Sequence, residues 1–344
     1  MAASPKLPMM SGAAQQSYHI YHADAYLLNF ELEYPIKLPF QEYGHVVLEH
    51  TRRNSLITQS VGETKIEGLI SFKRGHTRVA GAHVKEKTDV FGNDHAGWVT
   101  LATAALEGYN VEDIITVDRV VAQLSTQHSM TNDPKQPISH VPRVNFLGTR
   151  LENLRVGGHP VEVELDLAFC GSRPDGNRSY LQDGSFLDRV HRQLDGIVET
   201  RDLPKSLEKK YSAEIAYIDD LKKRAKDKRN EAGANSSPNG YPKLRCSLVK
   251  KIKLPVEIPG VRTLGNAIFI RDFGTVYLAE LEVGVNKGHS YFRRRQSDPP
   301  QTQSSDSNYF TLKMVDMHLG CPGAAMEAVA GSRATDTTAV ADRC

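Results

Sequence analysis

Along most of this chain apolar and polar side chains alternate one for one, the spacing that lays one face of a β-strand on a core and leaves the other wet. The densest case is Gly97 to Leu165, which also holds the single tryptophan, Trp98. It reads W-V-T-L-A-T-A-A-L-E-G-Y-N-V, then I-I-T-V-D-R-V-V-A-Q-L-S-T. After the Pro-rich break Ser129 to Pro142 it closes with Leu151, Val161, Val163 and Leu165 among polar neighbours. Strand patterns also cover Tyr18 to Tyr34, Leu244 to Ile252, Val276 to Val283 and Tyr309 to Leu319. Glu63 to Val84 reads as two strands around a basic turn, K-R-G-H. Val111 to Leu124 is ambiguous: Ile114, Val117, Val121 and Leu124 keep helical spacing behind Asp113, but the Ile, Val and Thr content favours a strand.

One interval changes period. From Asp183, Phe186, Leu187, Val190, Leu194, Ile197 and Val198 recur at three and four, with Asp183 or Ser185 able to cap, so an amphipathic helix should run to Pro204. Ser206 to Ala232 is a second helix on a narrow stripe of Leu207, Tyr211, Ile215, Ile218 and Leu221, its far end polar and solvated. The pattern predicts a mainly β protein, an antiparallel β-sandwich-like body with an inserted α-helical hairpin. Its expected divisions are a disordered leader at 1–17, the first part of the β-rich body at 18–182, and the helical hairpin at 183–232. A linker at 233–243, the second part of the body at 244–321 with a mobile loop at 293–308, and a disordered tail at 322–344 complete it. A weak internal echo pairs Thr64–Leu69 and Val79–Val84 with Thr149–Leu154 and Val156–Val161, and reads equally as a duplicated hairpin or as common strand and turn grammar.

Composition narrows the function classes. The 344 residues are 40% hydrophobic and 24% charged, as in a globular protein, and a formal net charge of +2 gives no support to nucleic acid as a partner. No run approaches the ~20 apolar residues that span a bilayer, and Met1 to Gln16 has no signal-peptide core, so no membrane insertion and a cytoplasmic location are expected. The four cysteines, Cys170, Cys246, Cys321 and Cys344, are scattered without a C-x-x-C pair and read as free thiols.

Candidate chemistry is thin. There is no G-x-S-x-G elbow, no phosphate-binding loop and no dinucleotide fingerprint, so no catalytic residue and no cofactor is assigned. Of the histidines, His22 and Asp24 share a strand face while His19 points away, and two ligands make a poor metal site; no metal is expected. Asp94-His95 reads first as a solvated turn. The basic runs Lys222–Arg229 and Arg293–Arg295 are balanced by acids or lack stacking aromatics, and read as solvated surface. Tyr18, Tyr21, Trp98 and Tyr109 could line a concave sheet for a sugar or small molecule, with His22 and Asp24 beside them.

The run from Gly97 to His128, with V-N-F-L-G-T-R-L-E-N-L-R-V-G-G-H-P-V after it, resembles a family of uncharacterised bacterial β-rich proteins. It is similar, more distantly, to the β-rich modules of the choice-of-anchor surface families. The likeness covers about Glu63 to Asp166 and Thr275 to Pro322. It implies a fold and carries over no catalytic residue; the chain lacks the signal peptide and C-terminal anchor of the anchored families. The expected function is a non-catalytic structural or interaction protein whose partner is protein, including itself as a homo-oligomer through an exposed sheet edge or the helical hairpin. The alternatives are a small-molecule or carbohydrate-binding module, and a hydrolase with a His/Asp site assembled from separated segments.

Overall fold

The computed structural model describes residues 17–32, 38–51, 54–84, 97–129, 141–175, 178–200, 203, 205–226, 243–286, 307–319, 329–335 and 337–340. The first half holds β1 (Ser17–Leu32), β2 (Leu38–Tyr43), β3 (Val46–Thr51), β4 (Ser55–Val61), β5 (Thr64–Ile66), β6 (Ile70–Phe72) and β7 (Arg74–Val84). Next come β8 (Gly97–Val111), β9 (Ile115–Ser129), β10 (Arg143–Asn145), β11 (Arg150–Glu152), β12 (Arg155–Val156), β13 (His159–Pro160) and β14 (Glu162–Leu165). Helices α1 (Gly184–Val198) and α2 (Lys205–Lys226) follow. The chain then returns to strands with β15 (Lys243–Ser247), β16 (Val249–Lys253), β17 (Val261–Leu264), β18 (Ala267–Ile270) and β19 (Gly274–Asn286). It ends with β20 (Ser307–Leu319), β21 (Val329–Thr335) and β22 (Thr337–Val340).

These strands build two ten-stranded antiparallel sheets and a small ribbon of β14 with β16. Sheet I runs β17-β18-β19-β20-β21-β1-β2, with β15 on β19 and with β3 and β22 on β1. Sheet II is centred on the β8–β9 hairpin, flanked by β7 and β4 on one side and by β10, β11 and β12 on the other. The strands β1, β20 and β21 lie over β7, β8 and β9, making the sandwich. Two glycines let the sheets approach. A Cβ on Gly81 would sit 2.4 Å from the Tyr21 ring, and one on Gly75 would sit 2.3 Å from Leu27 Cδ1. Register with β21 shifts between Tyr26 and Asn29, so Leu27 and Leu28, on either side of this irregularity, are both buried although adjacent.

The helical hairpin sits where its stripe predicts. Asp183 caps α1, its Oδ1 accepting from the Phe186 amide at 2.7 Å. Phe186, Leu187, Val190, Leu194 and Ile197 are buried. Phe186 meets the Tyr180 ring edge-on at 5.6 Å, and Tyr180 meets Phe310 of β20 at 5.3 Å, which seats the hairpin on sheet I. Ion pairs Lys222–Asp188 at 2.8 Å and His191–Asp219 at 3.3 Å tie α2 to α1.

The mainly β sandwich with an inserted helical hairpin is therefore what the chain builds, and three details differ from the reading of its pattern. The tail expected to be disordered at 322–344 supplies β21 between β1 and β20, and β22 on β1. Small residues there gave little period, but two neighbouring strand edges supply the hydrogen bonds that order a third. The turn in Glu63–Val84 falls at Glu67-Gly68, both with positive φ, and the basic Arg74, Gly75 and His76 begin β7. The echoed segments also differ: Val79–Val84 stays within one long strand, whereas Val156–Val161 turns at Gly157-Gly158. The ambiguous Val111–Leu124 is no helix: Val111 ends β8, Glu112 and Asp113 turn with positive φ, and Ile115–Leu124 lie in β9. The leader 1–16, most of the linker 233–243, residues 293–306 of the loop, and Asp94-His95 lie outside the described residues.

Candidate interaction edge

Among the described residues β4 pairs with β7 alone, from Ser55 opposite Gly81 to Val61 opposite Gly75. No other described strand pairs with it. The sequence S-L-I-T-Q-S-V has no charge, no proline and no glycine, and its β-branched and hydroxyl side chains suit a pleated surface. Leu56 to Ser60 are all exposed. Leu56 on the outer face is 59% exposed and Ile57, on the face that carries buried Val79, is still 39% exposed. An apolar residue on the core-side face stays that wet only because the sandwich is open along this flank.

Local contacts hold β4 straight. The Asn54 Oδ1 accepts from the His83 amide at 2.8 Å just before the strand, and Ser60 Oγ lies 3.2 Å from His76 Nδ1 near its end. The nearest fixed charges belong to β7. Arg78 stands opposite Thr58, and Arg74 pairs with Glu107, whose carboxyl is held below its usual range by that guanidinium.

The opposite end of the molecule has an edge of a different kind. β15 pairs with β19, and its outer edge is covered by the hairpin. The Ser247 amide donates to Gln193 Oε1 and the Gln193 Nε2 donates to the Ser247 carbonyl, both at 2.9 Å. Because an antiparallel strand turns alternate residues to alternate sides, Lys243 and Arg245 also direct their main chains away from β19. Lys243 gives a backbone hydrogen bond to Tyr217 of α2. Between these two caps lies a groove of about 190 Å³ lined by Leu194, Tyr217, Ile218, Leu244 and Arg245, with Glu214 and Lys243 at its rim. On the outer face of sheet I, Glu282 takes Lys243 and Arg245, each at 3.2 Å, and the Tyr309 hydroxyl at 3.1 Å. Burial opposes ionisation of Glu282, yet the two cations keep its carboxyl below the ordinary range.

Of the residues suggested by the sequence for ligand binding, Tyr21 and Trp98 meet in one cluster and Tyr109 lies in another. Tyr21 is buried against Gly81, in a small cluster with Ala23, Val79 and Ala102 against which Trp98 packs. Trp98 is half-buried and packs against His83, with ring centroids 4.9 Å apart and the planes tilted by 30°. His22 and Asp24 are half-buried on the opposite face of β1 from Tyr21. Tyr109 lies eleven positions along β8 from Trp98, roughly 36 Å away at the rise of a strand, and is buried in the main core, which raises its hydroxyl far above the usual value. Among the described residues no three His, Cys, Asp or Glu side chains converge as a metal site. Burial also raises both described thiols, Cys170 to about 12 and Cys246 well above its ordinary value.

β4 falls between the strand patterns at Tyr18–Tyr34 and Glu63–Val84 and offers no buried face of its own. The available signal was seven consecutive uncharged residues, bounded by Asn54 and Gly62, with no alternation to mark a buried face. No helix among the described residues is long and apolar enough to cross a membrane. No curated protein and no solved structure matches the chain. Residues 19–284, which run from β1 through nearly all of β19, match the family described as a domain of unknown function (DUF8256), and the chain belongs to that family.

Proposed function

We propose that this is a non-catalytic interaction protein, which takes up an extended polypeptide segment along β4. The observation that carries the reading is β4, which among the described strands pairs with β7 alone, is uncharged over its seven residues and exposes Leu56 to Ser60. Sheet edges ordinarily carry lysine, proline or a bulge to stop another chain from adding, and the seven residues of β4 include no lysine and no proline and keep an unbroken register with β7. An added strand gains main-chain hydrogen bonds, while Leu56 and Ile57 give it apolar contact on the two faces. The buried, protonated thiols fit the same reading, as nucleophiles need the thiolate. Free thiols also suit a reducing, cytoplasmic setting, which belongs to this proposal.

The test is fluorescence anisotropy with a capped, labelled heptapeptide of alternating Thr and Val as a generic strand. Saturable binding to the full chain, lost in Ile57→Lys, is expected. No binding, or binding indifferent to Ile57→Lys, overturns the reading.

A second reading, a small-molecule-binding module, draws on the apolar groove beside β15. A ligand held there raises the melting temperature by mass action, and Ile218→Lys abolishes that rise.

A further inference from the structure

We propose that His191 is a proton-operated clasp between the two helices of the hairpin, closed when its ring is cationic and weakened when the ring is neutral. It stands apart from strand addition at β4. The ring belongs to α1 and has a carboxylate in front of each nitrogen. Nδ1 is 2.7 Å from Asp195 Oδ2, and Nε2 is 3.3 Å from Asp219 Oδ1 of α2. A neutral imidazole has one N–H, so its other nitrogen must present a lone pair. Facing an ionised oxygen that lone pair repels, whereas the imidazolium donates at both ends. Only the cation satisfies the whole arrangement.

No other described cation takes the place of the ring. Asp195, one turn along α1, and Asp219 have no further ion pair or side-chain hydrogen bond among the described residues. The remaining charges at the helix seam are Asp188 and Arg192 of α1 and Lys222, Asp220 and Arg224 of α2. Asp188 takes Lys222 at 2.8 Å, Asp220 takes Arg224 at 2.6 Å, and Arg192 Nε donates to the Asp188 carbonyl at 3.3 Å. The His191 side chain is 21% exposed, so a proton can enter from solvent.

What the clasp holds is the cover of β15. Gln193, two residues from His191, accepts from the Ser247 amide, and Tyr217, two residues from Asp219, accepts from the Lys243 amide. Each helix caps one end of the strand's outer side, so the cover is complete only while α1 and α2 stay together. Closing the hairpin favours the proton, and by linkage the proton favours closing. The cover therefore tightens as pH falls through the range in which imidazole titrates.

The experiment is amide exchange of the full chain between pH 5.5 and 8.0, read at Lys243 and Ser247. Rates are corrected for the pH dependence of a free amide, so that opening constants are compared. Carboxylates in their ordinary range stay ionised across this window. In the wild type the opening constant should rise about tenfold from pH 5.5 to 8.0, the effect of losing one charge-assisted hydrogen bond. His191→Gln, which cannot carry the proton, should give one value throughout. Asp219→Asn, which leaves the ring without an acid on α2, should do the same. Asp188→Asn cuts the neighbouring tie and spares the clasp, so it should raise the opening constant at every pH and keep the tenfold rise. A rise that survives in His191→Gln or Asp219→Asn, a rise lost in Asp188→Asn, or no rise in the wild type overturns the proposal.

Discussion

β4 and β15 are each outermost on a ten-stranded sheet, and they solve the same problem in opposite ways. β15 is five residues long, alternates buried Leu244 and Cys246 with cations, and has its outward main chain met by Gln193 and Tyr217. β4 is seven residues long, lacks charge, and among the described strands is hydrogen-bonded to β7 alone. One edge is closed by the helical hairpin, while the other is the edge proposed above to take up a strand. The difference teaches that an edge is defined by what satisfies its backbone. Apolar content alone would not separate them, because β4 carries Leu56, Ile57 and Val61 and β15 carries Leu244 and Cys246.

The sharpest break in that comparison is one substitution made at both edges. Leu244→Lys places an ammonium on the core-facing side of β15, where the leucine is 4% exposed. A cost above about 4 kcal/mol is expected, enough to abolish cooperative folding. A chemical-denaturation midpoint near that of the wild type would mean that β15 is not locked into the core. Next in size, Phe186→Ala removes the ring that seats α1 against Tyr180. The loss should be about 3 to 5 kcal/mol, with faster amide exchange concentrated in β15 as its cover loosens. Uniform acceleration across both sheets would argue that the hairpin supports the whole sandwich instead of this one edge.

Much of the architecture could be read directly from spacing, and the reason is physical. A long strand such as β8 buries mainly one face, so its alternation marks it, whereas the first half of β9 buries Val120, Val121 and Ala122 in a row and is told from a helix only by its Ile, Val and Thr content. The hairpin stripe from Phe186 to Ile197 was visible for the same cause as β8. What escaped was everything whose order comes from a neighbour's backbone. β21 and β22 lie in a segment of small and polar residues with little period of its own, and they form because β1 and β20 offer them hydrogen bonds. β4 was missed because a strand wet on both faces has no hydrophobic period to find. Aromatic content pointed to Tyr109 and Trp98 together, whereas a strand's length holds them far apart.

Gln193→Leu tests the cover at a single point. It keeps the helix and the approximate volume but leaves the Ser247 amide and carbonyl without partners in a partly buried seam. Two lost partners should cost about 2 kcal/mol or more, seen as a lowered denaturation midpoint with the slope unchanged. An unchanged midpoint would show that water replaces the glutamine freely.

Acid should weaken the covered edge selectively. Glu282 has a folded-state carboxyl below its unfolded value, held there by Lys243 and Arg245 against the opposing effect of burial. The stability this supplies is complete above the unfolded carboxylate range, near 4.3, and is lost as pH falls through the lower folded value. Glu282→Gln should flatten the acid limb of the stability profile while lowering stability at neutral pH. A mutant profile parallel to the wild type would locate the acid sensitivity elsewhere.

The smallest expected effect is the most informative. Leu56→Lys makes at β4 the same change that Leu244→Lys makes at β15, yet the leucine is already 59% exposed. Little transfer energy is forfeited, and a lysine can keep its stem on the sheet with its ammonium in water. Monomer stability should move by no more than about 0.5 kcal/mol, the range typical of surface positions. Binding of the extended Thr-Val strand proposed to add at β4 should nevertheless fall, because the new cation costs apolar contact on the sheet face. Equal losses of folding and binding would mean that β4 is part of the monomer's core after all, and the contrast between the two edges would collapse. Separation of the two effects would establish that the chain keeps β4 bare at no cost to its own fold, which is the condition an edge must meet if its partner is to come from another molecule.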